Sequence, residues 1–158
     1  MKLSSQEEYG LRCLLQIARA GDAASLTIAE LAEREGISAP NVAKIMRILR
    51  RAGLVKSTRG KAGGYQLARP ARELRALDVL GALGGRLFDP GFCDRHKGVE
   101  ARCLNTGDCS IRPVLRGLQD AVDHVLGELS LASLLASESE VAGTLGPRVI
   151  RLQVARRA

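Results

Sequence analysis

Thr27–Arg69, TIAELAEREGISAPNVAKIMRILRRAGLVKSTRGKAGGYQLAR, is the stretch on which the fold turns. Thr27 and Glu30 have capping-box spacing and open a short helix that continues through Arg34. Gly36 is placed to end it in a left-handed conformation. Ser38 caps the next helix, with Pro40 tolerated in its first turn, and that helix runs to about Ala52, before Gly53. Two short helices across a glycine turn form a helix-turn-helix. Leu54–Ser57 then reads as a strand, Gly60, Gly63 and Gly64 as a tight hairpin, and Tyr65–Ala68 as the returning strand. A hairpin directly after the second helix is a wing.

Outward from this unit, Ser5 to Ala20 reads as a helix, with Tyr9, Cys13, Leu14 and Ile17 at helical spacing. Leu74 to Leu83 reads as another, ended by Gly84-Gly85, and Phe88 to Ser110 as a loop rich in Gly, Asp and Cys. A long helix from Ser110 to about Leu129 places Leu115, Leu118, Val122, Val125 and Leu129 at alternating steps of 3 and 4, the seam of a helix pair. Ser130 caps a short helix, Leu131 to Ala136. The segment from Ser137 shows no periodicity before Val149 and reads as flexible, its Arg148, Arg151, Arg156 and Arg157 serving DNA contact or solubility. The fold class is therefore mainly α with a small β wing. Residues 1–85 form a winged helix-turn-helix domain, 86–110 a cysteine-rich loop, 111–136 a dimerisation helix with a short following helix, and 137–158 a flexible tail.

Charge is concentrated where the fold would present it. Gly36 to Arg72 carries nine Lys or Arg and no Asp or Glu, whereas the rest of the chain holds 15 basic and 17 acidic residues. Such a surface attracts a polyanion, because each neutralised phosphate releases a condensed counterion. Four aromatic residues and no Trp argue against single-stranded nucleic acid, which is bound by stacking, so the partner is double-stranded DNA. No run is long enough to span a bilayer, and MKLSSQEEYG does not read as a signal peptide. The expectation is a cytoplasmic protein with no membrane partner. No paired carboxylates, nucleophile–base arrangement or phosphate loop is visible, and no enzymatic activity is expected.

In a helix-turn-helix the N-terminal part of the second helix meets base edges in the major groove. Ser38, Ala39, Pro40, Asn41 and Lys44 occupy that place, with Asn41 suited to adenine and Lys44 to guanine. Arg47, Arg50 and Arg51 lie further along and suit phosphates, and Arg59 and Lys61 sit at the wing tip, within reach of an adjacent minor groove. Thr27, at the start of the preceding helix, belongs to the same DNA-facing set. The alternative for Asn41 is an ordinary helix-surface residue.

Cys93, Cys103 and Cys109 fall in one 17-residue stretch, spaced C-x9-C-x5-C. Thiolates favour iron–sulfur clusters, zinc and copper(I). The short C-x2-C pairs usual at zinc sites are absent, as is a redox dithiol. Three unconnected free thiols is the plain alternative. Cys13 lies on the apolar stripe of the first helix and reads as core.

Taken together, MKLSSQEEYGLR, the Thr27–Arg69 stretch with its RGKAGGYQLAR wing, the three cysteines and the long helix after Cys109 resemble the Rrf2 family of winged helix-turn-helix regulators, over about residues 1 to 136. The resemblance implies a homodimer whose long helices cross at the two-fold, each subunit reading half of a pseudo-palindromic operator. It implies an iron–sulfur cluster on Cys93, Cys103 and Cys109, 2Fe–2S or in some members 4Fe–4S, with 2Fe–2S preferred here. Cluster state would set operator affinity, most simply as a repressor responding to redox state, nitric oxide or cluster supply.

This chain departs from one branch of the family, which has a histidine three residues after the last cysteine; Arg112 stands there. Another branch takes its remaining ligand from an acidic residue near the start of the first helix of the partner subunit, and Glu8 matches that position. Ser5 and Glu8 also have capping-box spacing, so a helix cap is the competing role. His96 is the second candidate, since imidazole can replace thiolate on cluster iron. Two other readings stay open: a cluster-free regulator sensing oxidants through its thiols, and a zinc-stapled interaction module.

Overall fold

Ser4 and Glu7 start the first helix. The Glu7 carboxylate accepts from the Ser4 backbone N–H at 2.8 Å and from its hydroxyl at 2.7 Å, and α1 runs Ser5–Ala20. The sequence pattern had put this cap on Ser5 and Glu8. The helix spans the residues read for it, but its cap is Ser4, so the third helical position falls on Glu7 and Glu8 is left out of the cap. The computed structural model describes residues 3–21, 24–58, 63–97, 103 and 105–154, with side chains as far as 146.

Helix α2 (Ile28–Glu35) opens with the expected box. The Glu30 N–H donates to the Thr27 hydroxyl at 3.2 Å, and the Thr27 N–H donates to the Glu30 carboxylate at 2.8 Å. Gly36 closes it at φ 64°, its N–H reaching the carbonyls of Ala32 and Glu33. That left-handed turn, which glycine adopts without a Cβ penalty, sets the direction of α3 (Ala39–Arg51). Helix α3 buries Val42, Ile45, Met46 and Leu49. They meet Cys13, Leu14 and Ile17 of α1 and Leu31 of α2 in one aliphatic core.

The wing is an antiparallel pair, β1 (Val55–Thr58) and β2 (Gly64–Leu67), with Val55 opposite Leu67 and Thr58 opposite Gly64. Both strands sit within a residue of their expected positions, and Ala68 still donates to the Leu54 carbonyl at 3.0 Å. A third segment pins the hairpin. Leu26 and Tyr65 exchange backbone hydrogen bonds of 3.0 and 2.8 Å. Gly64 allows this approach, because a Cβ there would stand 2.7 Å from the Leu26 carbonyl oxygen.

Beyond the wing, a single 3-10 turn (Ala71–Glu73) leads to α4 (Ala76–Gly84). The sequence pattern began this helix at Leu74. Leu74 instead stays extended, accepting from the Leu131 N–H at 2.7 Å, while Ala76 donates to the Leu129 carbonyl at 2.8 Å. The exit of the wing is thus bonded to the far end of the long helix. The segment read as a loop contains a short helix, α5 (Phe92–Arg95), and the long helix α6 spans Ile111–Glu128. A 3-10 turn, Ser133–Leu135, replaces the expected last helix; its Ser133 N–H donates to the Ser130 hydroxyl at 3.1 Å, as a cap would.

The segment from Ser137, read as a flexible tail, instead carries a helix, α7 (Glu138–Val154). Its signal was in the sequence: Ser137 and Glu140 form a capping box, with the Ser137 N–H donating to the Glu140 carboxylate at 2.8 Å and the Glu140 N–H reaching the Ser137 hydroxyl at 3.4 Å. No described helix is long and apolar enough to cross a membrane.

Candidate nucleic-acid interface and cysteine loop

Because α3 turns about 100° per residue, burying Val42, Ile45, Met46 and Leu49 fixes what faces outward. Pro40, Lys44, Arg47 and Arg51 lie along the middle of the exposed side, and Asn41 and Arg50 lie on its two edges; all six are exposed. Ser38 occupies the N-cap position, but its hydroxyl makes no capping bond, and among the described residues its carbonyl alone is engaged, by the Val42 N–H at 3.1 Å. A free hydroxyl and several cations therefore share one surface. Thr27 is different. Its hydroxyl donates to the Glu30 carboxylate at 2.8 Å, so its donor is already committed. The Thr27 backbone and side-chain hydrogen bonds hold the Glu30 carboxyl below its usual range. Arg59 and Lys61 lie outside the described residues.

The sequence reading missed what holds this unit to α1. Arg12 donates through Nε to the Glu35 carboxylate at 2.6 Å and through Nη2 to the Glu35 carbonyl at 2.7 Å. Gln16, one turn on, donates to the other carboxylate oxygen at 2.5 Å. The Glu35 side chain is 8% exposed, and it is the last residue of α2 before the Gly36 turn. On the other side Arg12 meets Glu8 at 3.4 Å, and the Glu8 side chain is 63% exposed. Glu8, Arg12 and Gln16 recur every four residues on α1, a polar stripe beside its apolar face that could have signalled the contact.

The four cysteines differ in burial. Cys13 is fully buried, and burial, reinforced by the Glu35 charge, pushes its thiol up to about 11. It packs in the core and is a poor thiolate. Cys93, on α5, and Cys103 and Cys109 are free and half-buried. Cys109 feeds directly into α6, its carbonyl accepting from the Arg112 N–H at 3.2 Å. Among the described residues no three His, Cys, Asp or Glu side chains converge as for a metal ion; residues 98–102 and 104, between these cysteines, are outside the described set. By donor chemistry three thiols would suit an iron–sulfur cluster, zinc or copper(I).

The candidates for a further ligand sort by what they already do. The Arg112 side chain donates to the Thr106 carbonyl at 3.0 Å and has no lone pair to offer a metal. His96 stacks on Phe92 with ring centroids 4.0 Å apart, and its Nδ1 lies 2.8 Å from the Phe92 carbonyl oxygen, which leaves Nε2 open. The Glu8 carboxylate is free of the cap and faces solvent on the N-terminal half of α1.

Residues 3–137 match the model of the family described as Rrf2, iron-dependent transcriptional regulator. The chain belongs to the Rrf2 family. Protein rrf2 of Nitratidesulfovibrio vulgaris is 35% identical over 139 residues, spanning 88% of this chain and 90% of that protein. Among solved structures, CymR, the global cysteine regulator of B. subtilis, superposes with a TM-score of 0.67 at 27% identity, covering 85% of this chain and 96% of CymR. IscR of T. potens superposes with a TM-score of 0.66 at 29% identity, covering 85% and 86%. The mainly helical fold, two-stranded wing and long C-terminal helix are thus those of Rrf2 regulators, and the chain is a DNA-binding transcriptional regulator of this family.

Proposed function

We propose that this Rrf2 protein is a homodimeric repressor whose affinity for a pseudo-palindromic operator is set by an iron–sulfur cluster, 2Fe–2S in preference to 4Fe–4S. Cys93, Cys103 and Cys109 of one subunit would hold it, with Glu8 of the partner subunit as the remaining ligand. When bound, the cluster supplies a redox- and nitric-oxide-sensitive centre next to α6. The observation that carries the reading is the contrast among the four thiols: one is buried in the core, and the other three are free, half-buried and clustered in sequence ahead of the long helix.

Protein residues do the remaining work. Ser38, Pro40, Asn41 and Lys44 enter the major groove; Arg47, Arg50 and Arg51 contact the backbone; Arg59 and Lys61 reach the neighbouring minor groove, and Thr27, its donors held by Glu30, serves as the cap of α2. Of the seam read from the sequence, Leu129 lies past the end of α6 and is buried, whereas Leu118 joins Ile111 and Val114 in an exposed apolar stripe on α6, at 55, 63 and 61% exposure. A second copy of α6 fits that stripe and brings two recognition helices to a spacing of about one DNA turn. The Arg12 contacts with Glu8 and Glu35 join the N-terminal half of α1 to the turn before α3, so a change at Glu8 is felt where the recognition helix begins.

Operator selection from genomic DNA, followed by titration of the wild type and of Cys103→Ala and Cys109→Ala, tests this. Loss of colour together with an altered operator affinity in both variants is expected. Unchanged colour and unchanged affinity in both would overturn it. The second reading, direct thiol sensing, is favoured by the same free cysteines and predicts a colourless protein whose DNA binding responds to oxidant; a zinc-stapled module predicts zinc instead of iron.

A further inference from the structure

A cleft of about 670 Å³ lies between the first half of α6 and the connector ahead of α5. That volume suits a small metabolite. The connector contributes Arg86, Phe88, Asp89 and Pro90, α5 contributes Cys93, and α6 contributes Arg112, Arg116, Gln119 and Asp120. Several of these groups are already engaged. Arg86 pairs with Asp123, Asp89 pairs with Arg95, and Arg112 donates to the Thr106 carbonyl. Gln119 is 4% exposed and accepts the Phe88 N–H at 3.0 Å, which braces the connector against α6. Arg116 and Asp120 have no ion pair or hydrogen bond among the described residues, although they stand one turn apart, where opposite charges commonly pair.

We propose that this cleft binds an α-amino acid. A guanidinium recognises a carboxylate through paired donors, and Arg116 supplies one, backed by the charge of Arg112 one turn earlier. Asp120, about 6 Å further along the helix axis, accepts the ammonium group. Phe88 and Pro90 form an apolar wall for an uncharged side chain. A free carboxylate alone would leave Asp120 opposed by nothing, and an amine alone would face three arginines, so the unpaired acid and base together select a zwitterion. The ligand would span the connector and α6, bridging the cysteine loop to the long helix. Its action as an effector rests on the regulator reading; its binding does not.

The test is calorimetric titration of the full chain with each of the twenty L-amino acids singly, with neither DNA nor iron present. An amino acid with an uncharged side chain is expected to bind. Its deamino and decarboxy analogues should each bind at least about tenfold more weakly, as should the amino acid itself to Arg116→Ala and to Asp120→Asn. Both positions are exposed, and the melting temperature of each variant checks that it folds. No heat with any amino acid, or binding unchanged in both variants, overturns the proposal. Because no cluster or operator enters the measurement, its failure leaves the iron–sulfur reading intact, and failure of that reading leaves this one standing.

Discussion

Arg12 and Glu35 are joined twice, Nε to the carboxylate at 2.6 Å and Nη2 to the backbone carbonyl at 2.7 Å. The second bond caps the C-terminal end of α2 at the residue where the chain turns toward the recognition helix. Since Glu35 is nearly buried, deleting its cation leaves a carboxylate with Gln16 as its remaining side-chain donor. Arg12→Ala should therefore cost about 1–2 kcal/mol in denaturant unfolding and weaken operator binding. Glu35→Gln should weaken operator binding in the same direction, because the geometry of the turn, not net charge at the DNA surface, is what changes. A stable Arg12→Ala protein with full operator affinity would show that the contact is incidental.

Gly64 tests the wing. A methyl group there would stand 2.7 Å from the Leu26 carbonyl oxygen and 3.1 Å from the Thr27 nitrogen, both backbone atoms that cannot swing away. Gly64→Ala should lower stability by about 1–3 kcal/mol and displace the hairpin from Leu26. Amide exchange at Leu26 and Tyr65, which bond to each other, reports this directly; protection equal to wild type at both would contradict it.

The DNA face separates into positioning and reading. Arg47 and Arg51, in the middle of the exposed side of α3, should act on phosphates. Replacing either by Ala should weaken binding to specific and unrelated duplexes alike and reduce the slope of log affinity against log salt by about 0.9. Asn41→Ala and Lys44→Ala should instead relax the base preference, costing about 1–3 kcal/mol on the specific site alone. Fluorescence anisotropy over a salt series distinguishes the two patterns.

Much of this was legible in the sequence, for reasons that differ by element. The helix-turn-helix could be read because local chemistry settles it: the Thr27–Glu30 box, Gly36 at positive φ and the apolar spacing of α3 each need only near neighbours. The start of α4 could not, because Leu74 is held extended by Leu131, far along the chain. The Ser4–Glu7 cap lay one residue from an equally good Ser5–Glu8 pattern, and only the packed helix chooses between them. Helix α7 was legible but passed over: Ser137 and Glu140 carried the signal, while weak apolar periodicity argued against it. The Arg12–Glu35 contact and the cleft that sets Arg116 and Asp120 of α6 against Phe88 and Pro90 depend on tertiary proximity, which spacing along one helix only hints at.

The Cys13 thiol gives a pH test of the core. Its folded value of about 11 lies above the ordinary 9.0, so the native state favours the protonated thiol. That contribution is complete below about pH 9, and it falls away as pH rises from 9 toward 11, because the unfolded chain loses its proton first. Wild-type stability should drop across this window by on the order of 2–3 kcal/mol more than that of Cys13→Ala. Parallel pH profiles for the two proteins would place the thiol in contact with solvent.

The central claim concerns Cys93, Cys103 and Cys109, and the most direct measurement is purification without oxygen, followed by an absorption spectrum and iron and sulfide analysis. The account predicts a coloured protein containing both elements, losing them in Cys103→Ala and Cys109→Ala and binding them less tightly in Glu8→Ala. A colourless protein, free of iron and sulfide even after an attempt to rebuild the cluster, would contradict it and leave the three thiols as sensors or zinc ligands in their own right.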